Sequence, residues 1–138
     1  MMTRILIPAL VALCAGLVVA TIFSNKPHRK AEYESAIPVT APALYAAFKA
    51  NEAAANTEYL NEVVEVKGEI ISREKNQDGQ PVAVLRGEPG DDVFGGGIMC
   101  TMREKDVIIP SGVQVKLKGF CTGFANDVHL SDCILTDK

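Results

Sequence analysis

The chain has 138 residues, which is room for one folded domain and a short targeting or anchoring segment. From Ala31 onward, the part of the chain called the body below, there are ten Lys and Arg residues and 17 Asp and Glu residues, so its formal charge is −7. A domain with this charge repels the phosphate backbone of a nucleic acid. Tryptophan is absent and aromatic residues make up 6% of the chain, which argues against a surface for stacking nucleic-acid bases.

The N-terminus is long and apolar enough to cross a bilayer. Ile5 to Phe23 are 19 positions without a charged side chain, with Arg4 before them and Lys26, Arg29 and Lys30 after them. Because the apolar core of a cleaved signal peptide usually has about 7 to 15 residues, the length favours a retained signal anchor. We therefore expect residues 1–23 to anchor the protein, with membrane contact through residues 5–23.

Two other interpretations of this segment remain open. Val18-Val19-Ala20 loosely fits the cleavage site of a secretory signal peptide. Cys14 could suggest a lipoprotein, but Leu13 before it is too bulky for the small residue that a lipobox needs there. We expect Cys14 to be an apolar residue of the anchor.

Two rules give opposite orientations for the anchor. Three basic residues follow the apolar run, so the positive-inside rule alone would place the body in the cytoplasm. A single short anchor at the N-terminus usually behaves as a signal, and the three cysteines of the body are tolerable in an oxidising compartment. We expect the body to lie in the periplasm.

A polar tether and one amphipathic helix should precede the sheet. Residues 24–39 are polar, include two prolines and show no sustained period, so they indicate a tether. Thr40 can cap a helix in which Pro42 lies in the first turn. Apolar residues at helical spacing predict one helix from Ala41 to Ala55. The folded domain should then occupy residues 40–138.

The remaining residues alternate between apolar and polar with the period of a β-strand. Asp78-Gly79 is the strongest hairpin signal, and Gly68 and Gly119 stand mid-strand where a sheet can bend sharply. One helix and five short strands suit a small barrel, because closure removes exposed edges. The predicted strands are residues 63–71, 82–85, 98–102, 113–121 and 128–135.

Three stretches carry a resemblance to a known family: NKPHRK after the apolar run, LYAAFKANEAAANTEYLNEVVEVKGEI, and KGFCTGFANDVHLSDCIL near the C-terminus. In these the chain resembles the tRNA_anti-like OB-fold proteins of bacterial envelopes. The resemblance implies a mainly β fold, a five-stranded OB-fold barrel preceded by one amphipathic helix, with an N-terminal transmembrane helix. It therefore implies a single-pass protein of the bacterial inner membrane, and it brings no catalytic residues.

The cysteines of the body allow four interpretations. Alternation places Cys100 and Cys121 inside, whereas Cys133 is out of phase with its strand unless a bulge falls at Ser131-Asp132. We expect a structural disulfide between Cys121 and Cys133, whose loop of about 13 residues would stabilise the fold by roughly 3 kcal/mol. Reduced core thiols are the main alternative. A metal site with His129 and redox catalysis are disfavoured, because no CxxC motif is present.

The sequence favours a non-catalytic binding or interaction module over an enzyme. It suggests no cofactor, no metal and no catalytic residue, and it leaves an unknown protein or small ligand as partner. Single-stranded nucleic-acid binding is the alternative, and a small enzyme or metal carrier is a third. OB barrels bind through strands two and three and the adjoining loops. On that surface the candidate ligand-binding residues are Arg73, Lys75, Arg86, Phe94 and Arg103.

Overall fold

The alternating segments fold into a mainly β structure, which confirms the predicted fold class at that level. The computed structural model describes residues 29–89 and 96–136. The predicted anchor of residues 1–23 lies outside these ranges, and within them no helix is long and apolar enough to span a membrane. In chain order the elements are a 3-10 turn Ala31–Tyr33, β1 Ile37–Thr40, α1 Ala41–Ala50, α2 Glu52–Tyr59, β2 Val63–Lys75, β3 Pro81–Arg86, β4 Gly97–Met102, β5 Gln114–Ala125 and β6 Asp127–Leu135.

Five of the strands close into a barrel. β2 has 13 residues, enough for its second half to pair antiparallel with β3 while its first half pairs with β5. β4 pairs with β3 on one side and, in parallel, with β6 on the other, and β6 pairs with β5. The order around the barrel is therefore β2, β3, β4, β6, β5. Closure pairs these strands on both sides and so protects them from edge-to-edge association.

Directly opposed side chains fill the barrel in layers. Ile70, Leu85, Ile98 and Val128 are successive partners across four strands, and all four are fully buried. An extra residue in β2, Ile71, then shifts the register between β2 and β3, and the next paired row faces outward by the normal alternation of a strand. Burial contributes roughly 1.5–3 kcal/mol for each side chain of this size, so one such layer is comparable to the net stability of a small domain.

The helical segment is two helices, and the prediction of one continuous helix is wrong. Asn51 has extended backbone dihedrals, and its side-chain oxygen accepts a hydrogen bond from the Ala54 backbone nitrogen at 3.1 Å. Asparagine is among the best N-cap residues, so it starts α2 instead of continuing α1. Thr40 caps α1 as expected, through the Ala43 nitrogen at 3.3 Å. In α1, Phe48 points into the core and is 1% exposed.

The ordered body begins before residue 40. Within the predicted tether, Ile37–Thr40 form β1, which pairs in parallel with the first half of β2. Ala31, in the 3-10 turn, is fully buried against the barrel. The sequence did not indicate these two features, because β1 and Ala31 are short apolar segments between polar residues.

A bulge in β6 places Cys133 inside, as the phase argument required. Asp132 has a φ of 54°, a left-handed conformation that aspartate tolerates better than most residues. The register shifts there, and Cys133 becomes the partner of Met102 on β4 with 1% of its surface exposed. The last strand, β6, lies between the third and fourth strands of the barrel, β4 and β5.

The expected Cys121–Cys133 disulfide is not confirmed, because both thiols and that of Cys100 are free and buried. Cys121 is paired across the sheet with Leu130, three positions before Cys133. Cys133 instead lies over Gly119, where an added Cβ would be 2.6 Å from its sulfur. The bulge thus takes Cys133 away from its expected partner, and the alternative of reduced core thiols describes the structure.

Gly68 is required for close packing, which gives a stability prediction. A Cβ at this position would lie 2.7 Å from the Ala41 Cβ at the start of α1. We expect Gly68→Ala to lower the free energy of unfolding by about 1–3 kcal/mol, measured by urea denaturation. Ala41→Gly should relieve the overlap, so the double variant should be more stable than the sum of the two single changes predicts. Strict additivity would contradict this contact.

The state of the thiols gives a second prediction. In denaturant without reductant, Cys100, Cys121 and Cys133 should all be alkylated, whereas the folded protein should react slowly because these side chains are 0–1% exposed. Peptide mass mapping measures both reactions. A parallel sample treated with reductant before denaturation is the control and should gain no further modification. Alkylation of Cys121 and Cys133 only after reduction would restore the disulfide hypothesis.

Candidate functional site

The predicted ligand-binding residues lie at two ends of the barrel. Arg73 and Lys75 stand near the end of β2, close to the start of β3, and Arg103 directly follows β4 beside them. Arg86 ends β3 at the opposite end of that strand. Phe94 lies outside the described residues. The structure therefore brings three of the five residues to one end of the barrel and separates Arg86 from them.

Arg103 is held in a network with acidic groups. Its Nε and Nη2 donate to the two carboxylate oxygens of Asp132 at 2.6 and 2.7 Å, and its Nη1 donates to Glu32 at 3.0 Å. The Asp132 carboxylate also accepts a hydrogen bond from the Ala31 backbone nitrogen at 3.0 Å. The hydrogen bond from Arg103 holds the pKa of Asp132 below its usual value, and the pKa of Arg103 is raised in turn. The Arg103 guanidinium is therefore already paired with two carboxylates, those of Asp132 and Glu32.

The other described arginines of the candidate set also have partners within the chain. The Arg86 Nε lies 3.2 Å from a Glu69 carboxylate oxygen across the sheet, and the Arg73 Nη1 donates to the Ile109 backbone oxygen at 3.1 Å. The Arg86 pair is partly exposed, so it contributes at most about 1 kcal/mol. The three arginines therefore support the barrel and its loops in this structure.

The centre of the outer face is apolar, which sequence reasoning missed. Across β2, β3, β4 and β6 one outward row consists of Ser72, Val84, Met99 and His129. All four side chains are half-buried. The next outward row on β3 adds Val82, which is 4% exposed. We call Val82, Val84 and Met99 the apolar strip. The uninterrupted apolar run VAVL at residues 82–85 was the available signal, since it leaves neither face of β3 polar.

An open pocket lies beside Arg103. Its volume is about 390 Å³, and it is lined by Glu32, Arg103, Val107 and Leu135 among others. Apolar groups form much of its surface, and Arg103, Glu32 and Glu104 are its charged lining residues. Such a pocket could accept a small ligand without negative charge, because its two carboxylates outnumber its one guanidinium.

The thiols are poorly suited to catalysis or metal binding. Burial raises the pKa of Cys121, and burial together with contact with the Cys100 thiol raises the pKa of Cys133 well above its usual value. The thiolate is the reactive and metal-binding form, so these shifts work against both roles. In the two described ranges, no three His, Cys, Asp or Glu side chains are grouped for a metal ion.

The fold is similar to that of solved structures. A protein from Klebsiella pneumoniae with the provisional name nucleic acid-binding lipoprotein aligns with a TM-score of 0.55 and 17% identity, over 72% of this chain and 92% of that one. At that identity the likeness shows the fold alone, an OB-like barrel. A provisionally named aspartyl-tRNA synthetase from Leishmania major aligns with a TM-score of 0.44 and 11% identity, over 82% of this chain and 22% of that one.

The family is shown by the sequence itself. No curated protein matches the chain. The sequence model of one family matches residues 1–134, which includes the N-terminal apolar segment as well as the barrel. This extent confirms the resemblance drawn from the three sequence stretches, and the chain belongs to the tRNA_anti-like family.

Proposed function

We propose that this chain is a non-catalytic binding module, tethered to the bacterial inner membrane, whose outer barrel face binds a protein or an uncharged small ligand. The observation that supports this best is the apolar strip, Val82, Val84 and Met99, in the middle of that face. Charged residues are depleted at the cores of protein interfaces, and methionine is enriched there. Val84 and Met99 are the half-buried members of the strip, and partly exposed apolar side chains on a sheet gain stability when a partner covers them.

The ion pairs of Arg86 and Arg103 also favour a protein or an uncharged ligand over a nucleic acid. A nucleic-acid backbone would have to draw Arg86 away from Glu69 and Arg103 away from Asp132. Breaking the second of these contacts would leave Asp132 without its strongest hydrogen bonds, which are charge-assisted and bidentate. The formal charge of −7 from Ala31 onward adds a general repulsion of polyanions.

The N-terminal apolar segment supports the proposed location. A run of 19 uncharged positions can act as a retained anchor, and with the body in the periplasm the binding face would meet envelope components. Cys121 and Cys133 suit an oxidising compartment although they are free, because burial raises the pKa of both thiols, so they form little thiolate and exchange slowly.

Single-stranded nucleic-acid binding is the second candidate. It is favoured by the provisional name of the Klebsiella pneumoniae structure, which shares this fold. Lys75 is the exposed basic residue of the candidate set nearest the hairpin at residues 76–80, where such a ligand would approach. The charge of the body and the pairing of the arginines weigh against it.

A binding assay separates the two candidates. We expect a fluorescently labelled single-stranded oligonucleotide to show no saturable anisotropy change in about 50 mM salt, where electrostatic binding would be strong. Lys75→Gln should then behave as the unmodified chain does, as should the control Lys67→Gln on the opposite half of β2. Saturable binding that falls steeply with salt and is weakened by Lys75→Gln alone would favour nucleic acid.

Site-specific crosslinking tests the interaction face. A photoreactive phenylalanine analogue in place of Met99 should give a discrete protein adduct on illumination of intact cells, because Met99 lies in the apolar strip. The control position is Ala53, which is exposed on α2. Gel mobility and mass spectrometry identify the adducts. The absence of any adduct at Met99, or the same adducts from both positions, would contradict binding through this face.

A further inference from the structure

We propose that the side of the barrel carrying residues 29–34, here called the docked segment, lies against the lipid surface, so that the apolar strip faces away from the membrane. This inference rests on the proposed membrane tether. Its partner is a bilayer surface containing anionic headgroups. It adds an orientation and a set of lipid-facing residues to the proposed function.

The docked segment is fixed to the outside of β5 and β6. The buried Ala31 donates its backbone N–H to Asp132 on β6, and the Lys118 ammonium on β5 donates to the Glu32 carbonyl oxygen at 3.3 Å. The Arg29 guanidinium lies 5.0 Å from the centre of the Phe120 ring, also on β5. Contacts to two strands hold the segment as part of the barrel wall, so the point where the chain leaves the barrel is defined.

The distance from this point to the apolar run is short. Phe23 ends the run and Arg29 begins the described body, so six residue steps separate them. An extended chain of that length spans roughly 20 Å at most. If Ile5 to Phe23 cross the bilayer, the surface around Arg29 must lie close to the headgroups, whatever the conformation of the intervening residues.

The exposed side chains of the docked segment fit a membrane surface. Tyr33 is 77% exposed, the second most exposed large apolar side chain in the described residues, and tyrosine is enriched at membrane interfaces. Lys30 is exposed, whereas the Arg29 guanidinium is paired with the Glu34 carboxylate. Basic residues close to an anchor are attracted by anionic headgroups.

The topology places the apolar strip on the opposite side. Around the closed barrel, β2 and β4 separate β3 from β5 and β6 respectively. The strand across from the docked segment is therefore β3, which carries Val82 and Val84. When the docked segment faces lipid, the apolar strip is turned toward the aqueous compartment, where a partner can reach it.

Tryptophan fluorescence can test the orientation, because the chain contains no tryptophan. Full-length Tyr33→Trp and, as the matched control, Val84→Trp are reconstituted into vesicles of phosphatidylethanolamine and phosphatidylglycerol. Quenching by lipids brominated on their acyl chains and by aqueous iodide is then measured. We expect Tyr33→Trp to lose intensity with brominated lipid and to be protected from iodide, and Val84→Trp to show the reverse. Replacing the anionic lipid with phosphatidylcholine should reduce the lipid quenching of Tyr33→Trp.

Each other outcome counts against a specific step. If the protein sediments with vesicles but Tyr33→Trp is quenched only by iodide, the docked segment does not face lipid and the proposal fails while the tether stands. Equal lipid quenching of both variants would overturn the orientation. If the protein does not sediment with the vesicles, the proposed tether itself fails.

Circular dichroism of both variants checks that the barrel is intact. If Val84→Trp does not fold, Ser72→Trp replaces it as the control, because Ser72 lies in the same outward row as Val84.

Discussion

The left-handed residue Asp132 is the point on which the barrel closure, the core and the N-terminal attachment all depend. Its left-handed conformation forms a bulge in β6, which places Cys133 in the core while β6 stays paired with β4 and β5. The same bulge aims the carboxylate outward, where it binds Arg103 and the Ala31 nitrogen. A single backbone irregularity thus joins the last strand, the loop after β4 and the docked segment. Bulges of this kind commonly redirect side chains at sites that matter for a fold.

The strands were predictable because their signal is local. In β5 and in the first half of β2 the alternation of buried and less buried residues is largely regular. Gly68 and Gly119, which were expected to be points where the sheet bends, are positions where other groups approach closely. The bulge in β6 could also be inferred, since without it Cys133 would face solvent. These features depend on residues within a few positions of one another, which is the range over which periodicity carries information.

The errors have a different physical origin. Asn51 occupies a helical position by spacing, but its side chain competes for the backbone as a cap, and spacing alone cannot decide between the two. The cysteine pairing required the register between β5 and β6, which depends on the bulge and not on sequence separation. The ligand-binding candidates were chosen by charge, whereas the partners of Arg86 and Arg103 are 17 and 29 positions away along the chain. No local pattern shows that a cation is already paired.

Because these arginines are paired within the chain, their positive charges do not mark a binding site for an anionic ligand. Each of the three arginines has a partner within the chain, and one partner of Arg103, Glu32, belongs to the docked segment. Arg103, Asp132 and the docked segment therefore form one network. Because that network lies toward β5 and β6 while the apolar strip lies on β3 and β4, the barrel has two chemically distinct sides. If the docked segment faces the membrane, as we propose, the opposite side with the apolar strip is the side that a partner can reach.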